Sequence, residues 1–232
     1  MIQLLSLLIN ILATILFPIY CVKGSIIAFY NIYSEGRHYK SIVREQLDVL
    51  YKSNLYNKLD KLNYITIGND SSSFTINSIA STLSGTYVMN RTEKIVKIGS
   101  YRKGYETLML RKIYDFCMYE RTKTNVNSKI LYFHNKGSLN YHEKIHKLRR
   151  ALDCFNLNSH CISALDEFDT CGWRISPVPH IHHPGNMWWS KCSHIVKLVD
   201  PFSFEKNSTF RNKSIELLTK AESEDLDKGN FD

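Results

Sequence analysis

Two phosphate-binding signatures are missing from this chain, and their absence narrows what it does. It contains no GxGxxG and no GxxxxGK[ST], so a dinucleotide enzyme or a P-loop nucleotidase is disfavoured. Its six cysteines form no CxxC pair, which argues against a zinc ribbon. The Lys and Arg residues are not gathered into one arm but are spread along the chain, from Lys40 through Arg150 and beyond, which argues against a dedicated nucleic-acid tail. What is present is globular composition, with 44% apolar and 22% charged residues in 232, enough for one α/β domain with its own core. The formal net charge of +8 favours anionic partners such as phosphorylated small molecules, nucleic acid or acidic membranes, without choosing among them.

Residues 4–22 are almost entirely apolar, broken by Ser6, Asn10, Thr14 and Pro18. A spanning helix needs roughly 20 apolar residues, so this segment sits at the lower limit. Three readings stand: a signal anchor, a cleaved signal peptide or a buried core helix. The first two make residues 1–24 a targeting segment, residues 25–212 the folded domain and residues 213–232 a polar tail. Four N-x-[ST] sequons, at Asn69, Asn90, Asn207 and Asn212, agree with the ER and Golgi lumen, membrane-anchored or secreted. In such a compartment Cys154, Cys161 and Cys171 are near enough in sequence for one disulfide, leaving an odd thiol beyond the leader.

Beyond the leader, apolar runs and helical spacings alternate. Strands are expected at Ile26–Tyr33, Tyr64–Ile67, Lys94–Ile98 and Lys129–Phe133. Helices are expected at Lys40–Leu55, Ile76–Leu83, Thr107–Tyr119 and His142–Phe155. Loops and one further helix complete the fold between Leu165 and Leu198. The alternation predicts a mostly parallel sheet flanked by helices, with ligands bound outside the carboxyl ends of the strands. That rim would carry Ser34–Gly36, Gly68–Asp70, Gly99–Gly104 and His134–Gly137.

Two segments stand apart. Tyr132-Phe133-His134-Asn135-Lys136-Gly137 is a strand ending in a Lys-Gly corner. His180-Ile181-His182-His183-Pro184-Gly185-Asn186-Met187-Trp188-Trp189 joins paired tryptophans to a histidine-rich loop. Indoles suit the apolar faces of sugars and equally suit core packing. The basic face of the helix before Phe155, with Lys144, Lys147, Arg149 and Arg150, reads first as a solvated surface.

Jointly and in this order, these segments resemble a family of glycosyltransferase-like proteins. Its members read Y-x-H-x-K-G, then an arginine-bearing helix, then D-x-x-G, then H-x-x-G-N-x-W-W. The likeness begins at Ala28–Tyr33 and runs through Glu45-Gln46-Leu47, Ser53–Tyr56 and Tyr105–Leu108 to Leu131–Ser138. Arg149-Arg150, Asp169–Gly172 and His182–Trp189 complete it. Met187, His183-Pro184 and Leu148 depart from the family's usual residues. The resemblance implies a single Rossmann-like GT-A-type domain that moves a sugar from a nucleotide-sugar donor to a glycan, lipid or protein acceptor. It implies a donor side of Tyr33, His134, Asn135, Lys136, Gly137 and Arg149, and an acceptor side of His182, Gly185, Asn186, Trp188 and Trp189. Asp169, Lys136 and Arg150 take the catalytic roles, with Asp169 as base or, alternatively, as a turn-forming aspartate. Such enzymes usually hold a divalent metal through Asp-x-Asp after the fourth strand, where this chain has His134-Asn135-Lys136. Either the Lys136 ammonium replaces the metal, or His134 and His182 bind one such as manganese; His182-x-x-Gly185 resembles the metal-binding H-x-x-G of glycogenin-like transferases. The competing class is a catalytically inactive carbohydrate-binding module on the same fold.

Overall fold

A computed structural model describes residues 24–70, 73–77, 79, 94–123, 127–139, 142–177 and 182–206. The leader, the tail from 213 and the sequons at Asn90, Asn207 and Asn212 lie outside these residues, as does most of the helix expected at Ile76–Leu83. Among the described residues no helix is long and apolar enough to cross a membrane.

The first strand, β1 (Ile26–Tyr33), is buried along nearly its whole length, as a continuous apolar run demands of a central parallel strand. It is followed by α1 (Tyr39–Lys52), the short α2 (Leu55–Lys58), β2 (Lys61–Ile67) and β3 (Ile95–Tyr101). The single helix expected at Lys40–Leu55 is therefore two, parted where Asn54 turns left-handed at φ 58°. Then come α3 (Thr107–Arg121), β4 (Lys129–His134), α4 (Glu143–Asn156), α5 (His160–Glu167), β5 (Thr170–Cys171), β6 (Trp188–Lys191), α6 (Cys192–Ile195) and α7 (Pro201–Lys206).

The strands form one six-stranded sheet in the order β3-β2-β1-β4-β6-β5. The first four are parallel, and β6 and β5 are antiparallel additions at one edge. The chain thus steps from β1 outward through β2 and β3, then returns to place β4 on the other side of β1. That reversal is the switch point of a doubly wound sheet, where the crevice outside the strand ends takes a ligand. The period of two along β1 divides the core between the faces. Ala28, Tyr30 and Ile32 meet Val43, Leu47 and Leu50 of α1 and Leu152 of α4. Ile27 and Phe29 meet Met109, Ile113 and Cys117 of α3 and Ile195 of α6.

Two disulfides, one local and one long-range, join separate elements. Cys161–Cys171 ties α5 to β5, as the cysteine spacing allowed, and Cys117–Cys192 ties α3 to α6 across 75 residues. Cys154 is the odd thiol and is exposed.

Candidate functional site

At the switch point the carboxyl ends of β1 and β4 are locked side by side. Asn135 accepts the Tyr33 N–H through Oδ1 at 2.7 Å and donates Nδ2 to the Tyr33 carbonyl at 2.9 Å. Its amide extends the ladder by one rung and is 3% exposed, so Asn135 shapes the rim of the hollow that it also lines. Gly137 follows at φ +85°, and a Cβ there would stand 3.0 Å from Ile145 Cγ2, so only glycine lets the chain turn against α4. Lys136 is thereby set at the corner.

A buried polar network holds that corner from beneath. Arg149 donates Nη1 to the Lys136 carbonyl at 3.2 Å and Nη2 to Glu45 at 2.6 Å, and is 1% exposed. Gln46 donates Nε2 to the His134 carbonyl at 3.0 Å and to Asp153 at 2.8 Å, and accepts the Tyr30 hydroxyl at 2.5 Å. Burial raises Asp153 to about 7, partly offset by the Gln46 hydrogen bond and the Arg149 charge. Burial also pushes Glu45 up, but hydrogen bonds from Arg150 and Arg149 outweigh it and hold that carboxyl low. These placements correct two expectations. Arg149 lies under the corner with no route to a donor. Arg150 points its 70% exposed side chain at Glu45 and lines neither hollow described next.

Two hollows open above the rim and meet at Lys136. One, of about 620 Å³, is lined by Asn31, Tyr33, Glu106, His134 and Lys136 over the ends of β1 and β4. The other, of about 770 Å³, is lined by Lys136, Asp169, His182, Gly185, Asn186 and Trp188. An apolar extension of about 360 Å³ continues past Trp188 to Leu198 and Val199. Lys136 and Trp188 therefore line one hollow, with Tyr33 and His134 on one side of Lys136 and His182, Gly185 and Asn186 on the other.

The Trp-Trp pair is not loop but strand, and alternation along β6 splits it. Trp188 is half-buried on the cleft wall, its ring 5.4 Å from that of Tyr132. Trp189 points into the core at 0% exposure and donates Nε1 to the Asn156 carbonyl at 2.8 Å. The expected acceptor role for Trp189 gives way to packing, because its N–H is satisfied inside and no ring face is left for a sugar. Before β6, Gly185 (φ +86°) and Asn186 (φ 53°) make a left-handed turn. The Asn186 side-chain amide donates to Glu106 at the start of α3, fixing the loop across the cleft. His182 pairs through its backbone with Ser176 and half-exposes its ring to the cleft. A Cβ at Gly172 would lie 2.5 Å from the His183 Nδ1, so the His183 ring packs directly over that glycine.

Asp169 stands at the far wall, ion-paired to Lys191 at 2.9 Å and near His194 at 3.6 Å. The Lys191 hydrogen bond, against a smaller burial effect, holds its carboxyl below the usual range, which lowers its strength as a base. His134 is 7% exposed, with Nδ1 3.4 Å from Glu106 Oε1. Burial lowers it, opposed by the Glu106 charge and the Asn186 backbone, with Lys136 adding to the lowering. His134 and His182 line different hollows. Among the described residues, the trio close enough to grip an ion is His160, Cys161 and Cys171, whose cysteines are already joined to each other.

Sequence reasoning passed over Glu106 and Asn31. Glu106 read only as part of a helix start, and Asn31 only as one residue of a buried strand. The usable signal was the polar residue itself, since an asparagine inside an otherwise apolar central strand needs a partner.

Fold and rim together define an α/β protein with a ligand crevice at the switch point of its sheet. The chain belongs to the family described as "Domain of unknown function (DUF8361)", whose model matches residues 29–229. No curated protein matches it.

Proposed function

We propose that this protein is a glycosyltransferase-like protein of GT-A type that moves a sugar from a nucleotide-sugar to a hydroxyl acceptor. The observation that carries the reading is the position of Lys136, which lines both hollows at the switch point. The nucleotide lies over the ends of β1 and β4, and the sugar projects past Lys136 into the cleft walled by Trp188. There the glycosidic carbon–oxygen bond to the diphosphate breaks as the acceptor oxygen attacks. The Lys136 ammonium stabilises the charge gathering on the departing diphosphate. The indole of Trp188 offers an apolar face to the sugar or acceptor. Asp169, in the wall of that hollow, takes the proton of the acceptor hydroxyl. The two disulfides and the exposed Asn69 side chain, which begins one sequon, agree with a luminal domain behind the leader at residues 1–24.

The second reading, carbohydrate binding without turnover, draws on the same Asp169, because a carboxylate already held by Lys191 is a poor proton acceptor. Thermal unfolding against a panel of nucleotide sugars and glycan fragments separates the two. A transferase is stabilised by a nucleotide sugar or its nucleoside diphosphate, and a pure lectin by glycans alone. Stabilisation by neither removes both readings.

A further inference from the structure

We propose that the apolar groove beyond Trp188 holds the hydrocarbon chain of the acceptor, so that the sugar passes to a hydroxyl carried on a lipid. The acceptor assignment rests on the sugar-transfer reading, whereas the groove rests on its own walls. One wall is α3, through Leu110, Ile113 and Tyr114, at the spacing that stacks side chains on one helix face. The other is α6 and the turns after it, through Ile195, Leu198 and Val199 at the same spacing. The Cys117–Cys192 disulfide ties α3 to α6, so the two walls are fixed against each other before a ligand arrives.

The chemistry of these walls selects a hydrocarbon. Among the described residues no charged side chain lines the groove, unlike the two hollows that meet at Lys136. Arg111, next to Leu110 in sequence, is turned to Asp115 at 2.8 Å and to Asp200. The polar side chains of the walls are Thr107, Tyr114 and Asn186, and the Asn186 amide is already engaged with Glu106. A glycan or a peptide buried here would leave hydroxyl or amide groups without partners, a cost that a methylene chain does not incur. The volume of about 360 Å³ takes a chain on the order of ten methylene groups, each of roughly the volume of a water molecule.

Continuity ties the groove to the acceptor. Asn186, Trp188, Ile195 and Leu198 line both the groove and the 770 Å³ hollow, so a chain lying in the first presents its head group in the second, which also holds Asp169. There the head-group oxygen bonds to the anomeric carbon as the bond from that carbon to the diphosphate breaks. The hydroxyl proton passes to Asp169 and the nucleoside diphosphate departs. The position of the leader ties the groove to a membrane. Leu198 is 52% and Val199 59% exposed at the groove edge, an apolar margin that suits a lipid surface. Gly24 lies against the Asn127 carbonyl, and Asn127 Oδ1 accepts the Ser193 N–H of α6 at 3.1 Å. The chain therefore enters the domain at the foot of the flank that carries the groove. The apolar residues 4–22 directly precede that point, and anchored in a bilayer they bring this flank to the lipid.

The test is calorimetric titration of hexyl, octyl and decyl glucoside, each below its micelle concentration, into the full chain as wild type, Leu198→Asp and Val199→Asp. Both positions are more than half exposed, so the new charge alters the groove edge and spares the core. In the wild type, affinity should rise on the order of tenfold for each two methylenes added. Each variant should flatten that rise and bind decyl glucoside on the order of tenfold or more weakly. Equal affinity across the series, or a rise that both variants keep, overturns the groove. Two other occupants would also overturn it. A dimer that decyl glucoside dissociates in sedimentation gives the groove to a second copy, and protease cleavage within residues 207–232 that begins only with decyl glucoside gives it to the chain's own tail. Nucleoside diphosphate titrated into the same wild type is the separate arm. If the glucosides bind as expected and the diphosphate does not, the groove stands and the transfer reading falls, taking the acceptor assignment with it. If the diphosphate binds and chain length has no effect, the lipid acceptor fails and the transfer reading survives.

Discussion

Replacing Asp153 by asparagine should flatten the pH dependence of stability between about pH 4 and 7, the span between this carboxyl's unfolded value of 3.8 and its folded value of about 7. Asp153 is 2% exposed, takes a hydrogen bond from Gln46, and stands 3.7 Å from Arg149, whose other side carries Glu45. In that window the folded state holds a proton that the unfolded chain has released. The Asp153 contribution therefore grows less favourable as pH rises from the unfolded value and levels off above the folded one. Over the whole window the shift corresponds to about 4 kcal/mol, and between about pH 5 and 7.5 to about 2 to 3 kcal/mol. Asparagine keeps the acceptor for Gln46 and does not titrate. Urea unfolding of wild type and Asp153→Asn at both pH values isolates this group, because the other titrating side chains are common to both proteins. The wild type should lose about 2 to 3 kcal/mol more than the variant as pH rises. Parallel pH profiles, or a variant that loses more than the wild type, would refute the buried, proton-holding carboxyl.

Two further outcomes follow from the packing. Trp189→Ala should destabilise the fold by about 3 to 5 kcal/mol in chemical denaturation, whereas Trp188→Ala should change stability far less and instead weaken any carbohydrate or nucleotide-sugar ligand. Comparable destabilisation by both would contradict the division of β6 into a core and a cleft tryptophan. Replacing Cys117 and Cys192 together by serine releases a closure of 75 residues and should cost about 4 to 5 kcal/mol on the chain-entropy account, against about 3 kcal/mol for Cys161 and Cys171 across 10 residues. Melts of the two double variants give the order.

How much of this was legible in the chain depends on the range of the interaction. β1 was readable to its ends because a central parallel strand is apolar on both faces. β3 was cut short at Gly99-Ser100, since glycine reads locally as a turn. In fact the strand runs on to Tyr101, and a Cβ at Gly99 would meet that ring at 2.7 Å. β6 has only four residues, too few for an alternation to show, so its tryptophans read as a loop. Arg149 and Arg150 are adjacent in sequence, but one helical step of about 100° sends the first inward to the Lys136 carbonyl and the second to solvent. The corner lysine and the tryptophan wall were visible as motifs. Glu106 and the Cys117–Cys192 bridge were not, because each acquires its partner only through tertiary closure.

The most direct test of the nucleotide-sugar account is isothermal titration of a nucleoside diphosphate into wild type and Lys136→Met, with the parent nucleoside as reference. A charge-assisted contact is worth about 1.5 to 3 kcal/mol, so the diphosphate should bind the variant on the order of tenfold or more weakly, with nucleoside binding unchanged. A diphosphate that ignores the wild type, or binds both proteins alike, would contradict the account.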